Sequence, residues 1–357
     1  MLRTECIDVI NGGKAWAFLG SGVSVESGCP SWKALLECVL EKLPTRTRGE
    51  IEQDSLFKDS FAKGVISQCF LRVEHHTSRP TLEQCVVEEI RRHTQPSDIH
   101  REIASWPFAG YVTTNYDSLL ERAITEQSWL SVGNSEEEAR KVSGDTSHVV
   151  WHVHGSCDLP QAKSSMIITE EDYERFYLEE SPALRQLKGL LAQRRLIFVG
   201  FGFRDPEVMR LLRQVGRLCN PARPIYAFLS GVSGPEQSGQ RRELLEKFNV
   251  DVIPYETEGE SHWQLLELLH VYGSLILRRN LRFGDPERPC PSYDPETTGL
   301  LVYNELCMKG GAKVSENLRG TLLRARIMSL LKHKGQCSTN EIYSGPRSQD
   351  HFSSAIS

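Results

Sequence analysis

Short apolar runs that each stop at a glycine or a polar cluster recur along this chain, and they limit its fold more than any other feature. Two of them, residues 15–19 and 196–199, have the length of buried strands. Similar runs occupy residues 109–113, 148–153, 224–229 and 250–253. Strands that alternate with helical sequence form a mostly parallel sheet with helices on both faces. We therefore predict an α/β fold with a Rossmann-like sheet.

The segments between these runs predict helices. Helical sequence is expected at residues 32–43, from Asp117 onwards, over residues 173–191 and from Pro206 to Leu212. Asp205 fits the N-cap of the last helix, because Pro206 suits the first position of a helix.

The predicted domain has a helical insertion and a C-terminal appendage. Residues 44–105 are polar with helical spacing and no strand pattern, so they predict an inserted helical layer. Residues 131–147 are polar and predict a loop. We predict one α/β domain over residues 1–285. The Pro-, Gly- and Ser-rich residues 286–357 form an appendage to which no motif assigns a role, with a short helix at 322–332.

The composition argues against several classes of protein. The chain has 42 Lys and Arg residues against 47 Asp and Glu residues, a net charge of −5, so we expect no dedicated nucleic-acid surface. Its ten cysteines form no C-x-x-C pair, and we expect no zinc or other metal. We find no signal-peptide pattern and no apolar run near the roughly 20 residues that span a bilayer. We therefore expect a cytoplasmic protein without membrane contact.

Four polar clusters directly follow predicted strands. They are residues 20–24, 114–117, 154–155 and 200–205. Ligands of parallel sheets bind beyond the carboxyl ends of the strands, so these clusters are the candidates for a functional site.

Two of the clusters are rich in glycine. Gly20 and Gly22 have the form of a turn that holds a phosphate against backbone N–H groups. Val25 stands where the dinucleotide fingerprint has its third glycine, so a tight turn without a ligand explains this cluster equally well. Gly200 and Gly202 allow approach to a second part of a nucleotide, or form only a flexible turn.

The other two clusters carry side chains suited to chemistry. Asn115 can hydrogen-bond a carboxamide or a ribose hydroxyl, and Asp117 can accept from an amide N–H, although both are also common at helix caps. Alternation places His152 and His154 on the same side of a strand. A metal pair lacks further ligands nearby, so the alternatives are a general base and a structural histidine. The structural role fits His152 better, which leaves His154 as the candidate base.

The order of these clusters resembles the SIR2 (sirtuin-like) superfamily. Residues 20–24 and 27–30 are similar to the sirtuin glycine-rich turn and the cofactor loop after it. Residues 113–117, Thr-Thr-Asn-Tyr-Asp, resemble the T-x-N-x-D motif. Residues 154–156 resemble the motif of the catalytic histidine, and residues 200–203 resemble the late glycine motif. The resemblance implies NAD as the bound molecule and cleavage of its nicotinamide–ribose bond. It implies catalytic roles for Asn115 and His154 and cofactor contacts from Gly20, Ser21, Gly22, Ser24, Pro30, Thr114, Asp117, Gly200 and Gly202.

The chain departs from the protein-deacylating sirtuins in two places. Those enzymes carry a four-cysteine zinc module between the catalytic histidine and the late glycine motif, where this chain has only Cys157. Residues 31–33 are Ser-Trp-Lys, where a deacylase has Asp-Phe-Arg. Residues 113–117 and 200–206 instead resemble a divergent branch from bacterial anti-phage systems, in which the domain hydrolyses NAD. The resemblance therefore implies an NAD+ hydrolase of anti-phage defence.

This interpretation gives each residue a role. Asn115 orients the nicotinamide ribose and a water, and His154 acts as general base on that water or on a ribose hydroxyl. Asp117 holds the nicotinamide amide or caps its helix, while residues 20–24 cradle the pyrophosphate. The resemblance also implies a homo-oligomer, and a regulatory partner protein is one way to restrain the activity. A zinc-free deacylase, a non-catalytic NAD or ADP-ribose sensor and a partner-binding scaffold are the alternatives.

Overall fold

A parallel sheet forms the centre of the fold. The computed structural model describes residues 3–276 apart from 126–127, 144, 204–205, 217–223, 233–236 and 258–261. The strands are β1 (Trp16–Leu19), β2 (Gly110–Thr113), β3 (Leu130–Val132), β4 (Val149–His152), β5 (Leu196–Val199), β6 (Ile225–Ser230) and β7 (Val250–Tyr255). They lie in the order β3-β4-β2-β1-β5-β6-β7, and each neighbouring pair is parallel. The predicted Rossmann-like α/β fold is confirmed.

Helices connect the strands and cover both faces of the sheet. They are α1 (Thr4–Asn11), α2 (Trp32–Lys42), α3 (Thr45–Gln53), α4 (Ser55–Lys63), α5 (Ile66–His76), α6 (Arg79–Ile90), α7 (Asp98–Ser105), α8 (Leu119–Ala123), α9 (Glu136–Ala139), α10 (Glu170–Tyr173), α11 (Pro182–Gln193), α12 (Pro206–Gly216), α13 (Ser238–Phe248) and α14 (Trp263–Gly273). Helices α3 to α7 occupy the segment for which the sequence predicts a helical layer. That this layer is an insertion stays a prediction, as does the proposed domain boundary.

Two apolar cores cover the two faces of the sheet. Along β1, Trp16 and Phe18 belong to one core, while Ala17 and Leu19 belong to the other. Every residue of β1, β2, β4 and β5 is buried. Because both faces are covered, β1 and β5 are apolar throughout, and β2 and β4 are apolar except for their last residues, Thr113 and His152. Continuous apolar runs therefore predict these strands well.

A third apolar core lies within the helical layer. Leu36 of α2, Phe70 of α5 and Val86 of α6 pack in it together with Tyr116 and Ile168. Tyr116 follows β2 and Ile168 follows β4, so the helical layer packs directly on the segments that leave these two strands. The layer thereby fixes the backbone around Asn115.

The structure corrects the sequence prediction at residues 131–147, which are not simply a loop. Strand β3 pairs with β4 at the edge of the sheet, and α9 follows it. Strand β3 has three residues and its Leu130 is exposed, so no apolar pattern marks it. Backbone pairing with β4 is what makes this segment a strand.

The single helix predicted over residues 173–191 is broken in the structure. A π-helical turn at Glu174–Leu178 follows α10, and α11 begins only at Pro182. Ser181 caps α11, because its Oγ accepts from Leu184 N–H at 3.1 Å. The predicted cap Asp205, the short helix at 322–332 and the whole appendage lie outside the described residues.

Candidate functional site

The four polar clusters follow four adjacent strands. Strands β4, β2, β1 and β5 are neighbours in the sheet, and a cluster lies after the carboxyl end of each. Strand β2 lies on one side of β1 and β5 on the other, so the strand order reverses between β1 and β5. Doubly wound sheets bind their ligands at such a reversal. The candidate site is therefore at this edge of the sheet.

The two glycine turns interlock through their backbones. Gly22 N–H donates to Gly200 O at 2.9 Å. A Cβ atom on Gly22 would lie 2.8 Å from the same oxygen, and Gly200 has a φ of +64°. The glycines are thus required because the turns touch each other. Ser21 and Gly202 are exposed on the two turns, and their backbone can reach a ligand.

Asn115 is fixed in one orientation. Its Nδ2 donates to Gly20 O at 3.1 Å and to Ser24 Oγ at 3.1 Å. A carbonyl oxygen only accepts, so the nitrogen of the carboxamide must be the atom that faces Gly20. Both amide protons are then used within the protein, and Oδ1 is the atom left to accept a hydrogen bond from a ligand.

Asp117 is engaged by the protein on both carboxylate oxygens. Ser24 Oγ donates to its Oδ2 at 2.9 Å, and Leu119 N–H donates to its Oδ1 at 3.1 Å. Leu119 is the first residue of α8, so the second contact satisfies the first main-chain N–H of that helix from Asp117, which lies one residue before its N-cap Ser118. Burial raises the pKa of Asp117 above its ordinary value, although both hydrogen bonds act in the opposite direction.

His152 forms a buried ion pair with Glu121 of α8. Glu121 was not identified from the sequence. His152 Nε2 lies 2.6 Å from Glu121 Oε1, and Nδ1 lies 3.0 Å from the carbonyl oxygen of Asn115. Burial alone would lower the pKa of His152, but the charge of Glu121 and the hydrogen bond to it outweigh burial and raise that pKa. Both partners are acceptors, so His152 is a doubly protonated imidazolium that holds the Asn115 backbone.

His154 lies beyond the end of β4, which is shorter than the predicted strand. The strand ends at His152, so alternation does not fix the relation between the two histidines. His154 Nε2 lies 2.6 Å from the Tyr177 hydroxyl, and the ring of Tyr173 is 5.3 Å away. Burial lowers the pKa of His154 to about 3. Among the described residues, no hydrogen bond joins His154 to the group of Ser24, Asn115 and Asp117.

His100 of α7 is a second residue that sequence reasoning missed. Its Nε2 lies 3.4 Å from Ser24 Oγ, and its Nδ1 lies 3.3 Å from Ser97 N. His100 is the third residue of α7, with Ser97 as the N-cap. A serine followed three residues later by a side chain that can accept is the capping-box pattern, and this was the signal available in the sequence.

The remaining predicted residues border the site through their backbones. Thr114 N–H donates to Leu19 O at 3.3 Å. Pro30 is half-buried and precedes Ser31, which caps α2 by accepting from Ala34 N–H. A cavity of about 520 Å³ lies between α2, α3 and α4, and none of the predicted site residues lines it.

Neither a metal site nor a membrane-spanning helix is found among the described residues. In the part of the chain that the structure describes, no group of three or more His, Cys, Asp and Glu side chains is arranged to hold a metal ion. Among the described helices, none combines the length and the apolar character needed to cross a membrane.

Residues 109–253 match the family model of a SIR2-like domain. NAD(+) hydrolase ThsA from Enterococcus faecium is 30% identical over 324 residues, which are 85% of this chain and 64% of that protein. NAD(+) hydrolase ThsA from Bacillus cereus (strain MSX-D12) is 28% identical over 199 residues, 56% of this chain and 39% of its own length. Defense-associated sirtuin 2 from Bacillus subtilis is 27% identical over 220 residues, 60% of this chain and 21% of its own length.

The chain spans less than two thirds of the length of each of these relatives. The likeness therefore concerns the shared domain. Within the domain, the family match agrees with the parallel sheet and with the motifs at the ends of β2, β4 and β5. The chain therefore contains a SIR2-like domain, matched over residues 109–253.

Proposed function

We propose that this protein hydrolyses NAD+ at the bond between nicotinamide and ribose, giving nicotinamide and ADP-ribose. The observation that carries the proposal is the carboxamide of Asn115. Its nitrogen is bound to Gly20 and Ser24, which leaves Oδ1 as a fixed acceptor for a ligand hydroxyl. The names of the relatives, NAD(+) hydrolase ThsA, support the same reaction.

The reaction depends more on the orientation of the ribose and the attacking water than on acid catalysis. The C1′–N bond breaks and its electron pair leaves with nicotinamide, which departs as a neutral molecule. Water supplies a hydroxyl group to C1′ and releases one proton. Positive charge develops on the ribose as the bond lengthens, so the protein has to hold the ribose and direct a water to C1′.

Asn115 and the glycine turns would bind the two ends of the substrate. Asn115 Oδ1 accepts from a ribose hydroxyl or from the attacking water. The exposed backbone around Ser21 and Gly202 offers N–H groups to the pyrophosphate. Both carboxylate oxygens of Asp117 already accept hydrogen bonds, one from Ser24 and one from the first turn of α8. We therefore propose that Asp117 maintains the shape of the site and does not bind the nicotinamide.

His154 would take the proton that the water or a ribose hydroxyl releases. Its imidazole is neutral through the physiological range because burial lowers its pKa to about 3, and a base needs an unprotonated nitrogen. In the tautomer in which Nε2–H donates to the Tyr177 hydroxyl, Nδ1 is unprotonated and can receive the proton. A weak base suffices, because a water that adds to a ribose cation becomes strongly acidic.

Product analysis with Asn115→Ala tests the proposal. The wild-type protein is expected to release nicotinamide from NAD+ without any peptide, and Asn115→Ala is expected to lose turnover while it keeps its affinity for NAD+. An interaction made mainly in the transition state lowers kcat without a matching loss of binding. Asn11→Ala is the matched control, because Asn11 Nδ2 also donates to a carbonyl, that of Leu275.

The outcomes separate the alternatives. Nicotinamide release that requires an acylated peptide would indicate a deacylase, and NAD+ binding without turnover in the wild type would indicate a sensor. Joint loss of thermal stability and NAD+ affinity in Asn115→Ala would show that Asn115 only shapes its turn.

We infer that the activity serves anti-phage defence in the cytoplasm. The name of the relative Defense-associated sirtuin 2 supports this role. We also propose a homo-oligomer and a regulatory partner, because unrestrained NAD+ hydrolysis would harm the host. Light scattering with and without NAD+ tests the first point, and a strictly monomeric protein at high concentration would contradict it.

A further inference from the structure

We propose that His100 is a positioning residue of this site, which orients the hydroxyl of Ser24 and, through it, the carboxamide of Asn115. The inference rests on the proposed function, because it concerns the geometry required for NAD+ hydrolysis. The three residues come from α7, from the turn after β1 and from the turn after β2. They meet only in the folded domain.

The tautomer of His100 follows from its contact with Ser97. Ser97 N–H donates to Ser27 Oγ at 2.9 Å and also points at His100 Nδ1 at 3.3 Å, while Ser97 Oγ lies 2.9 Å from the same ring nitrogen. A main-chain N–H can only donate, and a proton on Nδ1 would face it. Nδ1 therefore accepts, and the proton of the neutral ring is on Nε2. Burial lowers the pKa of His100 to about 4, so the ring is neutral at physiological pH.

Ser24 Oγ is the atom at which the contacts meet. It lies 3.4 Å from His100 Nε2, 3.1 Å from Asn115 Nδ2 and 2.9 Å from Asp117 Oδ2. The first two atoms carry protons, so the hydroxyl accepts twice and donates its own proton to Asp117. A hydroxyl has one proton and two lone pairs, so its hydrogen-bonding capacity is filled.

Burial makes these contacts difficult to replace. His100 is 1% exposed and Ser24 is 2% exposed, so bulk water does not reach the hydroxyl to substitute for the imidazole. Without a donor at position 100, the hydroxyl of Ser24 loses one of the two hydrogen bonds that it accepts. The hydroxyl can then rotate, and the carboxamide of Asn115 loses its fixed partner. A misplaced acceptor slows a reaction that depends on orientation.

Two substitutions of similar size separate the donor from the volume of the side chain. Glutamine is an ordinary capping-box residue at this helix position, so in His100→Gln the carbonyl can accept from Ser97 while the amide donates to Ser24. His100→Met fills similar space and offers neither group. We expect kcat for nicotinamide release to fall about tenfold or more in His100→Met, with KM nearly unchanged, and to be largely restored in His100→Gln.

Ser78→Ala is the control for the loss of a helix cap. Ser78 caps α6, where its Oγ accepts from Thr81 N–H, and it belongs to none of the site contacts. This variant should lower the melting temperature, as the loss of a cap does, while kcat stays at the wild-type value. The comparison shows whether destabilisation by itself slows the reaction.

Wild-type kcat in a folded His100→Met protein would overturn the proposal, and so would a His100→Gln protein as slow as His100→Met. A measurement without turnover separates this result from failure of the proposed function. The side-chain amide signals of Asn115, identified by their absence in Asn115→Ala, should shift in His100→Met and stay in place in His100→Gln. Unchanged Asn115 signals in His100→Met would refute the positioning role even if the wild type releases no nicotinamide.

Discussion

His154 and His152 are close in sequence, but their surroundings have opposite electrostatic effects. His152 is paired with the carboxylate of Glu121, which raises its pKa against the effect of burial. His154 is enclosed by aromatic rings, and burial lowers its pKa to about 3. One histidine is therefore a fixed cation and the other a neutral imidazole, which supports the separate roles that we propose for them.

Replacement of His154 should remove activity and leave the fold intact. We expect His154→Ala to lower the rate of nicotinamide release by about 10²–10⁴-fold, the range typical for loss of a general base. Steady-state kinetics, with circular dichroism to confirm folding, provide the test. Near wild-type turnover in the folded variant would exclude His154 from the mechanism.

Replacement of His152 should act mainly on stability. His152→Ala leaves the Glu121 carboxylate buried without its counter-ion, and breaking such a pair costs about 3–5 kcal/mol. We expect a lower urea midpoint in His152→Ala, with less loss of activity per folded molecule than in His154→Ala. His152→Ala combined with Glu121→Gln should recover part of the stability, because no unpaired charge remains. A double variant as unstable as the single one would contradict this account.

Among the elements of the fold, the two interlocked glycine turns should tolerate substitution least. A Cβ atom on Gly22 would press on the backbone of Gly200, so we expect Gly22→Ala to reduce both the melting temperature and NAD+ affinity. Gly49→Ala is the matched control, since a Cβ atom there has no neighbour within 4 Å and Gly49 lies inside α3. Alanine should stabilise that helix slightly, by roughly 0.5–1 kcal/mol. Equal melting temperatures for the two variants would show that the turns do not interlock as described.

How well an element could be predicted depends on what holds it in place. Strands β1 and β5 are buried on both faces, so their composition alone predicts them. Strand β3 depends on backbone pairing with β4, which leaves no mark in three residues of mixed polarity. Asn115 follows β2, a strand that its apolar run predicts, so its place at the carboxyl end of the sheet could be predicted from the sequence. The capping-box spacing of Ser97 and His100 marks only the start of α7, and the contact of His100 with Ser24 is distant in sequence. The contact of Glu121 with His152 is also distant in sequence, and no local pattern shows it.

For the whole molecule, buried neutral histidines should make stability fall in acid. The ordinary histidine pKa of 6.5 is lowered to about 4 at His100 and to about 3 at His154. At pH values below 6.5 and above the lowered pKa of each histidine, the unfolded chain binds protons that the folded chain does not. The free energy of unfolding therefore decreases as the pH falls through this range. Each histidine should remove about 2 kcal/mol between pH 7 and pH 5. His152 acts in the opposite sense, because its pKa is raised.

Urea unfolding at pH 7, 6 and 5 measures this effect. In His100→Gln the acid-induced loss of stability should be smaller than in the wild type by about 2 kcal/mol, because glutamine does not titrate. Parallel pH profiles for the two proteins would show that His100 is not protonated on unfolding in this range.

The sheet partners of β1 also set the order in which a growing chain can complete its structure. Strand β1 lies between β2 and β5, and both are made after it, β5 beginning only at Leu196. A chain still on the ribosome and lacking β5 has an open edge on β1, and Gly22 has no Gly200 to contact. Pairings so distant in sequence form late. The proposed hydrolysis of NAD+ should therefore begin in a newly made molecule only after most of the domain has been translated.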